Sequence, residues 1–128
     1  MNVLLDTHTF LWFVLDEPQL SVAAKGLIDE PTNVVFVSPA SFWEIAIKVR
    51  LGKLDLRSSY DDFMHQGLVG NHFAILPIEP KHTSLLTKLP LHHKDPFDRL
   101  LAAQALVEGM AIVSADHALD AYGVQRHW

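Results

Sequence analysis

Four carboxylate residues of this chain lie either directly after a short apolar run or in the first two turns of a predicted helix. Asp6 directly follows the short apolar run NVLL, and Asp116 directly follows the run AIVSA. Asp98 lies in the first turn of a predicted helix, and Glu44 lies in the second turn of another. Functional groups of open parallel sheets collect beyond the carboxyl ends of the strands, where the following helices begin. We therefore expect these four acids to meet at one edge of a sheet.

A cluster of carboxylates of this kind is suited to holding a hard divalent cation. Without a counterion, neighbouring carboxylates raise one another's pKa values, and the folded state loses stability. Oxygen ligands, in a chain that has no cysteine, favour Mg²⁺ or Mn²⁺ over zinc. Such an ion lowers the pKa of bound water and stabilises charge on a phosphoryl oxygen. The acids therefore suggest phosphodiester hydrolysis.

Each acid also has a simpler structural interpretation. Asp6 and Asp116 are both placed to cap the helix that follows, which is a common use of aspartate. Glu44 is four residues before Lys48, and such a pair on a helix surface contributes only about 0.2–0.5 kcal/mol. The face of the helix that carries Glu44 is nevertheless small or apolar, at Ala40, Ser41, Ile47 and Leu51. An acid on a face that favours burial needs a partner.

The segment DPFDRLLAAQA, residues 95–105, contains two aspartates three positions apart. Asp95 followed by Pro96 has the form of a helix N-cap and first helical residue. Asp98 then occupies the third helical position, where it can reach back to the cap or project into the acidic cluster. We predict that Asp95 caps the helix and that Asp98 belongs to the active site.

The elements that must position these acids alternate along the chain. Short apolar runs predict strands at residues 2–6, 33–37, 73–78 and 111–116, and amphipathic or well-capped segments between them predict helices. This alternation indicates an α/β fold of three layers, α/β/α, around a central, mainly parallel sheet. The length of 128 residues and the absence of repeats or linkers predict a single domain over residues 1–128.

Composition excludes several classes of protein. Half of the residues (49%) are hydrophobic, which is ample for a core, and the formal charge of −5 disfavours a protein that coats nucleic acid non-specifically. No apolar stretch is long enough to span a bilayer, and no basic segment with an apolar run resembles an export signal. The absence of cysteine suits the cytoplasm, which is the expected location.

Four segments in order resemble one known family. LLDTHTFLW, SPASFWEIAIKVRLGKL, DPFDRLLAAQA and IVSADHALDAYGV are similar to motifs of the PIN domain, in particular of the VapC-type toxins of bacterial toxin–antitoxin pairs. The likeness runs from residue 2 to residue 126. Any one motif is weak evidence for the family, but four motifs in the same order with matching spacing are specific to it.

The resemblance implies a metal-dependent ribonuclease with a PIN-like fold. The acids of the family match Asp6, Glu44, Asp98 and Asp116 here, and the apolar run after the third acid selects Asp98 over Asp95. The resemblance also implies that Ser114, two positions before the last acid, supports the metal site. It further implies a homodimer and a small antitoxin encoded alongside. Phe42 and Trp43 with Trp12 and Phe13, at helical spacing, are expected in the core or a subunit interface.

Basic residues near the acids are candidates for contacting RNA phosphates. The stretch 48–57 carries Lys48, Arg50, Lys53 and Arg57 against one acid, Asp55. A second patch, beside the segment 95–105, consists of His93, Lys94 and Arg99. Lysine and arginine commonly neutralise phosphates, but runs of charge are often ordinary solvated surface. Arg99 is equally suited to a structural ion pair with Asp98.

The expected reaction is in-line attack of activated water on a phosphodiester, leaving 5′-phosphate and 3′-hydroxyl ends. Three alternatives remain open from the sequence. The first is histidine chemistry, with His92–His93 and His8 or His117 acting as acid and base or binding a transition metal. The second is a phosphoryl-accepting α/β protein. His8 stands where haloacid-dehalogenase phosphatases have a second aspartate, and the early acidic pair and late lysine of response-regulator receivers are not found. The third is a PIN-like module that only binds RNA or a partner.

Overall fold

A five-stranded parallel sheet forms the centre of the molecule in the computed structural model, which describes residues 1–128. The strand order is β3-β2-β1-β4-β5, and every pairing is parallel. The strands are β1 (Asn2–Leu5), β2 (Val34–Val37), β3 (Ala74–Ile75), β4 (Ala111–Val113) and β5 (Arg126–His127). The predicted α/β fold with a mainly parallel sheet is confirmed. This order differs from the 2-1-3-4-5 order of response-regulator receivers.

Six α-helices and one 3₁₀ helix connect and cover the strands. The helices are α1 (Thr7–Val14), α2 (Val22–Asp29), α3 (Pro39–Arg50), α4 (Tyr60–Leu68), α5 (Pro80–Leu86), α6 (Pro96–Glu108) and a 3₁₀ helix (His117–Tyr122). Side-chain caps fix most of the starts: the hydroxyl of Ser38 accepts the N–H of Ala40 at 3.1 Å, directly before the Pro39 that begins α3. Helix α6 ends where Gly109 adopts a positive φ of 65°.

Both faces of the sheet are buried, which makes three layers. Val3 and Leu5 of β1 point into a core that α1, α2 and α4 cover. Leu4 between them points to the opposite face, into a second core that α6 and the 3₁₀ helix cover. Helix α3 reaches both, with Ile45 in the first core and Ala40 in the second. Strands that are buried on both faces have unbroken apolar sequences. This is why β1 and β4 could be predicted from the sequence.

The structure differs from the sequence-based prediction in strands β3, β4 and β5. Strand β3 covers only Ala74–Ile75 of the predicted 73–78, and Pro77 has no N–H with which to continue pairing. Strand β4 ends at Val113, so that Asp116 belongs to the connection before the 3₁₀ helix. Strand β5 was not predicted, because two polar residues at the end of a chain give no periodic signal. Its pairing is continued by the N–H of Ser114, which donates to the carbonyl of His127 at 3.1 Å.

None of the helices combines the length and the apolar character that crossing a membrane requires.

Candidate active site

The four predicted acids come from four separate segments. The structure brings Asp6, Asp98 and Asp116 to one cavity, whereas Glu44 lines a different cavity with Lys48 and Asp95. Asp6 follows β1 and Asp116 follows β4, while Glu44 projects from α3 and Asp98 from the first turn of α6. Asp6, Asp98 and Asp116 line one cavity of about 300 Å³ together with His8, Trp12 and Ala115. The negative charges of Asp6 and Glu44 both raise the pKa of Asp98, as expected for neighbouring carboxylates.

Asp6 is held rigidly by two donors. Its Oδ1 accepts the N–H of Thr9 at 2.9 Å, and its Oδ2 accepts the hydroxyl of Ser114 at 2.5 Å. Burial raises the pKa of Asp6, and the bonds from Ser114 and Thr9 oppose that rise. The capping interpretation is thus confirmed, since Asp6 is the N-cap of α1. Capping and membership of the cluster are compatible, because each carboxylate oxygen has two lone pairs.

Ser114 connects two of the acids through one buried hydroxyl. It donates to Asp6 and accepts the backbone N–H of Asp116 at 3.0 Å. Thr7, the residue after Asp6, donates from its Oγ1 to Oγ of Ser41 at 2.9 Å. The hydroxyl of Ser114 therefore fixes both the first acid and the backbone that carries the last one.

Asp98 is an acid whose charged form needs a positive partner. Burial, followed by repulsion from Asp95 and Asp6, raises its pKa to about 7, while the positive charge of His93 lowers it. Asp95 is the N-cap of α6, with its Oδ1 accepting the N–H of Phe97 at 2.8 Å and that of Asp98 at 3.4 Å. The division of the two aspartates between cap and cluster therefore agrees with their contacts.

Asp116 is ionised more easily than Asp98. Burial acts to raise its pKa, but hydrogen bonds from His93 and from the N–H of Ala118 outweigh burial, and the pKa falls below its ordinary value. Oδ1 of Asp116 accepts the N–H of Ala118 at 3.0 Å and so caps the 3₁₀ helix. Oδ2 lies 2.7 Å from Nε2 of His93.

Glu44 is buried, with only 4% of its surface exposed. Its Oε2 accepts a hydrogen bond from Lys48 Nζ at 2.8 Å, so the predicted i,i+4 pair exists, but on a covered face of α3 and not on the open surface. Its Oε1 is buried and has no hydrogen-bond partner. A buried carboxylate oxygen without a donor fits a site in which a cation, or water bound to a cation, supplies the missing partner.

His93 is the residue of this site whose role sequence reasoning missed. It was placed in a basic patch and in a possible histidine cluster, whereas its Nε2 lies 2.7 Å from Asp116 and 3.2 Å from Asp98. Of the other histidines considered, His8 borders the cavity. The side chain of His117 is 86% exposed. The only feature of the sequence that could have indicated this role is the position of His93, two residues before the Asp95 cap.

The predicted RNA-contacting residues divide into two groups. Lys48 is engaged by Glu44, and Arg50 and Lys53 are exposed. Lys48 and Lys53 line a second cavity of about 310 Å³, which shares His8 and Trp12 with the acidic one. Arg99 differs, because its Nη2 donates to the carbonyl of Leu89 at 3.0 Å and its Nε is buried without an acceptor. Its guanidinium therefore anchors the preceding loop and makes no ion pair with Asp98.

Comparison with known proteins identifies the class to which this fold and site belong. The family model of the PIN domain matches residues 3–125, so the chain belongs to the PIN-domain family. This match confirms the resemblance seen in the four sequence motifs.

Particular relatives are similar over nearly the whole chain. The sequence is 27% identical over 122 residues to Ribonuclease VapC22 of Mycobacterium tuberculosis (strain ATCC 25618 / H37Rv), covering 94% of this chain and 92% of that protein. The crystal structure of VapBC2 from Rickettsia felis, bound to a DNA fragment from its promoter, is similar with a TM-score of 0.69 and 12% identity, covering 99% of this chain and 98% of the other. FitAcB from Neisseria gonorrhoeae has a TM-score of 0.64 and 16% identity, with coverage of 98% and 96%.

Proposed function

We propose that this chain is a Mg²⁺- or Mn²⁺-dependent endoribonuclease that acts as the toxin of a toxin–antitoxin pair. The observation that carries the proposal is the convergence of four carboxylates from four segments, among which Asp98 has its pKa raised to about 7 and Glu44 has a buried oxygen without a partner. Both features indicate a site that a divalent cation would complete. Membership of the PIN family and similarity to a VapC ribonuclease support the same activity.

Asp6, Asp98 and Asp116 would hold the ion, with Glu44 beside them. A divalent ion bound there would activate water and stabilise charge on the phosphoryl group. The chain's own contribution is to keep the acids in fixed positions before substrate arrives. Thr9 and Ser114 restrain Asp6, and the Asp95 cap restrains the turn that carries Asp98. Preorganisation of this kind is a large part of catalysis.

The reaction we propose is hydrolysis of the P–O3′ bond. Water attacks the phosphorus atom in line with O3′, the P–O3′ bond breaks, and O3′ takes up a proton. The products are a 5′-phosphate and a 3′-hydroxyl. Glu44 is suited to orient the attacking water, because its Oε1 has no donor within the protein while Lys48 fixes its Oε2.

RNA would approach along the two cavities that His8 and Trp12 join. Lys53 and Lys48 line the second cavity, and Arg50 is exposed on the last turn of α3. These cations are placed to neutralise phosphates beside the cut. The direction of the Arg99 side chain favours a structural role over RNA contact, so we place it outside the proposed RNA path.

The test is cleavage of a defined single-stranded RNA by purified protein, with Mg²⁺ or Mn²⁺ and with chelator. We expect the wild type and Asp62→Asn, which changes an exposed acid of α4, to cut only when the ion is present. Asp98→Asn should abolish cutting while the protein remains folded. Ends that carry a 2′,3′-cyclic phosphate, or cleavage that survives chelator, would contradict the proposed reaction. A folded wild type that binds RNA without cutting it would favour the binding-module alternative.

A small cognate antitoxin is the partner we propose. Structural similarity to chains of VapBC and FitAB assemblies supports this proposal. Co-expression with the product of the neighbouring open reading frame should give a co-purifying complex and should suppress RNA cleavage. Toxicity that persists unchanged in the presence of that product would contradict the pairing.

We also propose that residues 1–128 form one domain and that the protein acts in the cytoplasm.

We further propose that the protein is a homodimer. The dimer is supported by an exposed apolar stripe formed by Trp43 and Ile47 of α3 and by Leu51, its C-cap residue. Trp43 is 65% exposed although its ring packs edge-on against Phe97 at 5.3 Å. A second copy placed over this stripe would bury it. Sedimentation should show a dimer for the wild type and a monomer for Trp43→Glu, and a monomeric wild type would contradict the proposal.

A further inference from the structure

His93 joins two acids that belong to different segments. Its Nε2 lies 2.7 Å from Oδ2 of Asp116, before the 3₁₀ helix, and 3.2 Å from Oδ2 of Asp98, on α6. Neither aspartate forms an ion pair with a lysine or arginine. His93 is therefore the side chain that offers these two carboxylates a shared positive partner or proton donor.

The hydrogen-bond pattern fixes which ring nitrogen carries the proton. The backbone N–H of Asp95 points at Nδ1 of His93, with a distance of 3.1 Å. Nδ1 must accept this bond, so the proton of the neutral ring is on Nε2. Nε2 is then a donor toward Asp116 and has no lone pair to offer a metal ion. A histidine that ligates a metal usually does the opposite and donates a hydrogen bond from its other nitrogen.

The backbone around the ring is fixed as well. The N–H of His93 donates to the hydroxyl of Tyr122 at 2.9 Å. Tyr122 is the last residue of the 3₁₀ helix and is buried in the second core. The backbone of Asp95 thus holds Nδ1 of the His93 ring, and the hydroxyl of Tyr122 holds the backbone of His93. These contacts leave Nε2–H pointing at the two carboxylates.

We propose that His93 is a positioning residue, which uses Nε2–H to hold Asp116 beside Asp98 for a divalent ion and does not itself ligate the ion. The inference rests on the proposed metal-dependent function. Carboxylates that bind metals are commonly held by hydrogen bonds from outside the coordination sphere, and loss of such a donor typically weakens metal affinity about 10- to 100-fold.

The first test identifies the tautomer and the coordination sphere directly. ¹⁵N NMR of the histidine rings in the metal-free protein should show that the proton of the neutral His93 ring is on Nε2. Pulsed EPR of bound Mn²⁺, in protein with ¹⁵N-labelled histidine, should show no directly coordinated ring nitrogen. A directly coordinated His93 nitrogen, or a proton on Nδ1, would overturn the inference.

The second test measures Mn²⁺ affinity by calorimetry in four proteins. We expect His93→Ala to bind Mn²⁺ about tenfold or more weakly than wild type, and His93→Gln, which retains an N–H donor, to recover part of the loss. His65→Ala, at an exposed histidine of α4, should bind like wild type. Equal affinity of wild type and folded His93→Ala, or no Mn²⁺ binding by wild type, would overturn the inference. Wild type that binds Mn²⁺ with the expected His93 dependence but never cuts RNA would refute the ribonuclease proposal alone.

Discussion

Asp95 holds the helical turn that carries Asp98, because its Oδ1 accepts the N–H of Phe97 at 2.8 Å and that of Asp98 itself at 3.4 Å. One aspartate thus positions the backbone of the other. The same pair is also coupled electrostatically, since the charge of Asp95 raises the pKa of Asp98. Substitutions at the two positions should therefore have different and separable effects.

Asp95→Asn keeps an oxygen acceptor for the helix cap but removes the charge. We expect the unfolding free energy to change by less than about 0.5 kcal/mol, because asparagine caps helices as well as aspartate does. The pKa of Asp98 should fall, since one source of repulsion is gone. The pH profile of RNA cleavage should move toward lower pH while Asp98→Asn remains inactive. An unchanged profile, measured with the same RNA over pH 5–8, would show that the coupling has no effect on the reaction.

Asp98 should make the metal-free protein less stable as pH rises. Its pKa is 3.8 in the unfolded chain and about 7 when folded. Between these values the folded state binds more protons than the unfolded state, so the free energy of unfolding falls with increasing pH and levels off above about pH 7. In chelator at pH 8, Asp98→Asn should be more stable than wild type by about 1–3 kcal/mol, after allowance for partial exposure.

Mg²⁺ should reverse that order, because binding to the folded state stabilises wild type and Asp98→Asn lacks one ligand. Urea unfolding with and without the ion measures both effects. Asp62→Asn serves as the control and should follow wild type under both conditions. If Asp98→Asn were no more stable than wild type at pH 8 in chelator, the charge of Asp98 would not destabilise the folded protein. That result would contradict the destabilisation expected from its burial and its acidic neighbours.

Lys48 and Lys25 offer a matched comparison of two i,i+4 pairs. Both lie 2.8 Å from a carboxylate, but the side chain of Glu44 is 5% exposed whereas that of Asp29 is 52% exposed. Lys48→Met should lower the unfolding free energy by about 1–3 kcal/mol, because it leaves Glu44 buried without a donor. Lys25→Met should change it much less, because solvent screens the charges of an exposed pair. Urea unfolding at pH 8 compares the two, and equal losses would mean that Glu44 is well solvated.

Ser114→Ala should destabilise the metal-free protein and weaken its affinity for Mg²⁺. The variant loses the donor to Asp6 and the acceptor for the N–H of Asp116. We expect a loss of about 1–3 kcal/mol at pH 8. The loss should shrink at acidic pH, because the bond from Ser114 lowers the pKa of Asp6 and so stabilises its charged form. Ser84→Ala, at an exposed serine of α5, is the control, and similar losses in both would contradict this role.

Sequence alone predicted the parts of the site that local rules govern. An acid directly after an unbroken apolar run must lie at the end of a buried strand, which placed Asp6 at the carboxyl edge. The sequence Asp95-Pro96 specified a helix start, which separated the cap from Asp98 at the third helical position. The small neighbours Ala40 and Ser41 indicated that Glu44 is covered, and it is 4% exposed. The apolar neighbours Ile47 and Leu51, which were expected on the same face, are exposed.

The parts that could not be predicted depend on contacts between distant segments. His93 reaches Asp116 because its backbone is bonded to Tyr122, 29 positions away. The guanidinium of Arg99 turns to the carbonyl of Leu89 and not to the acid beside it in sequence. Strand β5 exists because β4 offers an open edge, to which Arg126 and His127 add. No pattern of residue types along the chain specifies any of these three partners.

The order of the strands has a consequence for synthesis of the chain on the ribosome. Strand β4 lies beside β1 in the sheet, although the two are more than a hundred residues apart in the sequence. Parallel pairing between such distant segments forms late in folding, and the last of the four acids, Asp116, follows β4. A nascent chain can therefore present Asp6, Glu44 and Asp98 but cannot close the site until β4 and Asp116 have been made and have joined β1.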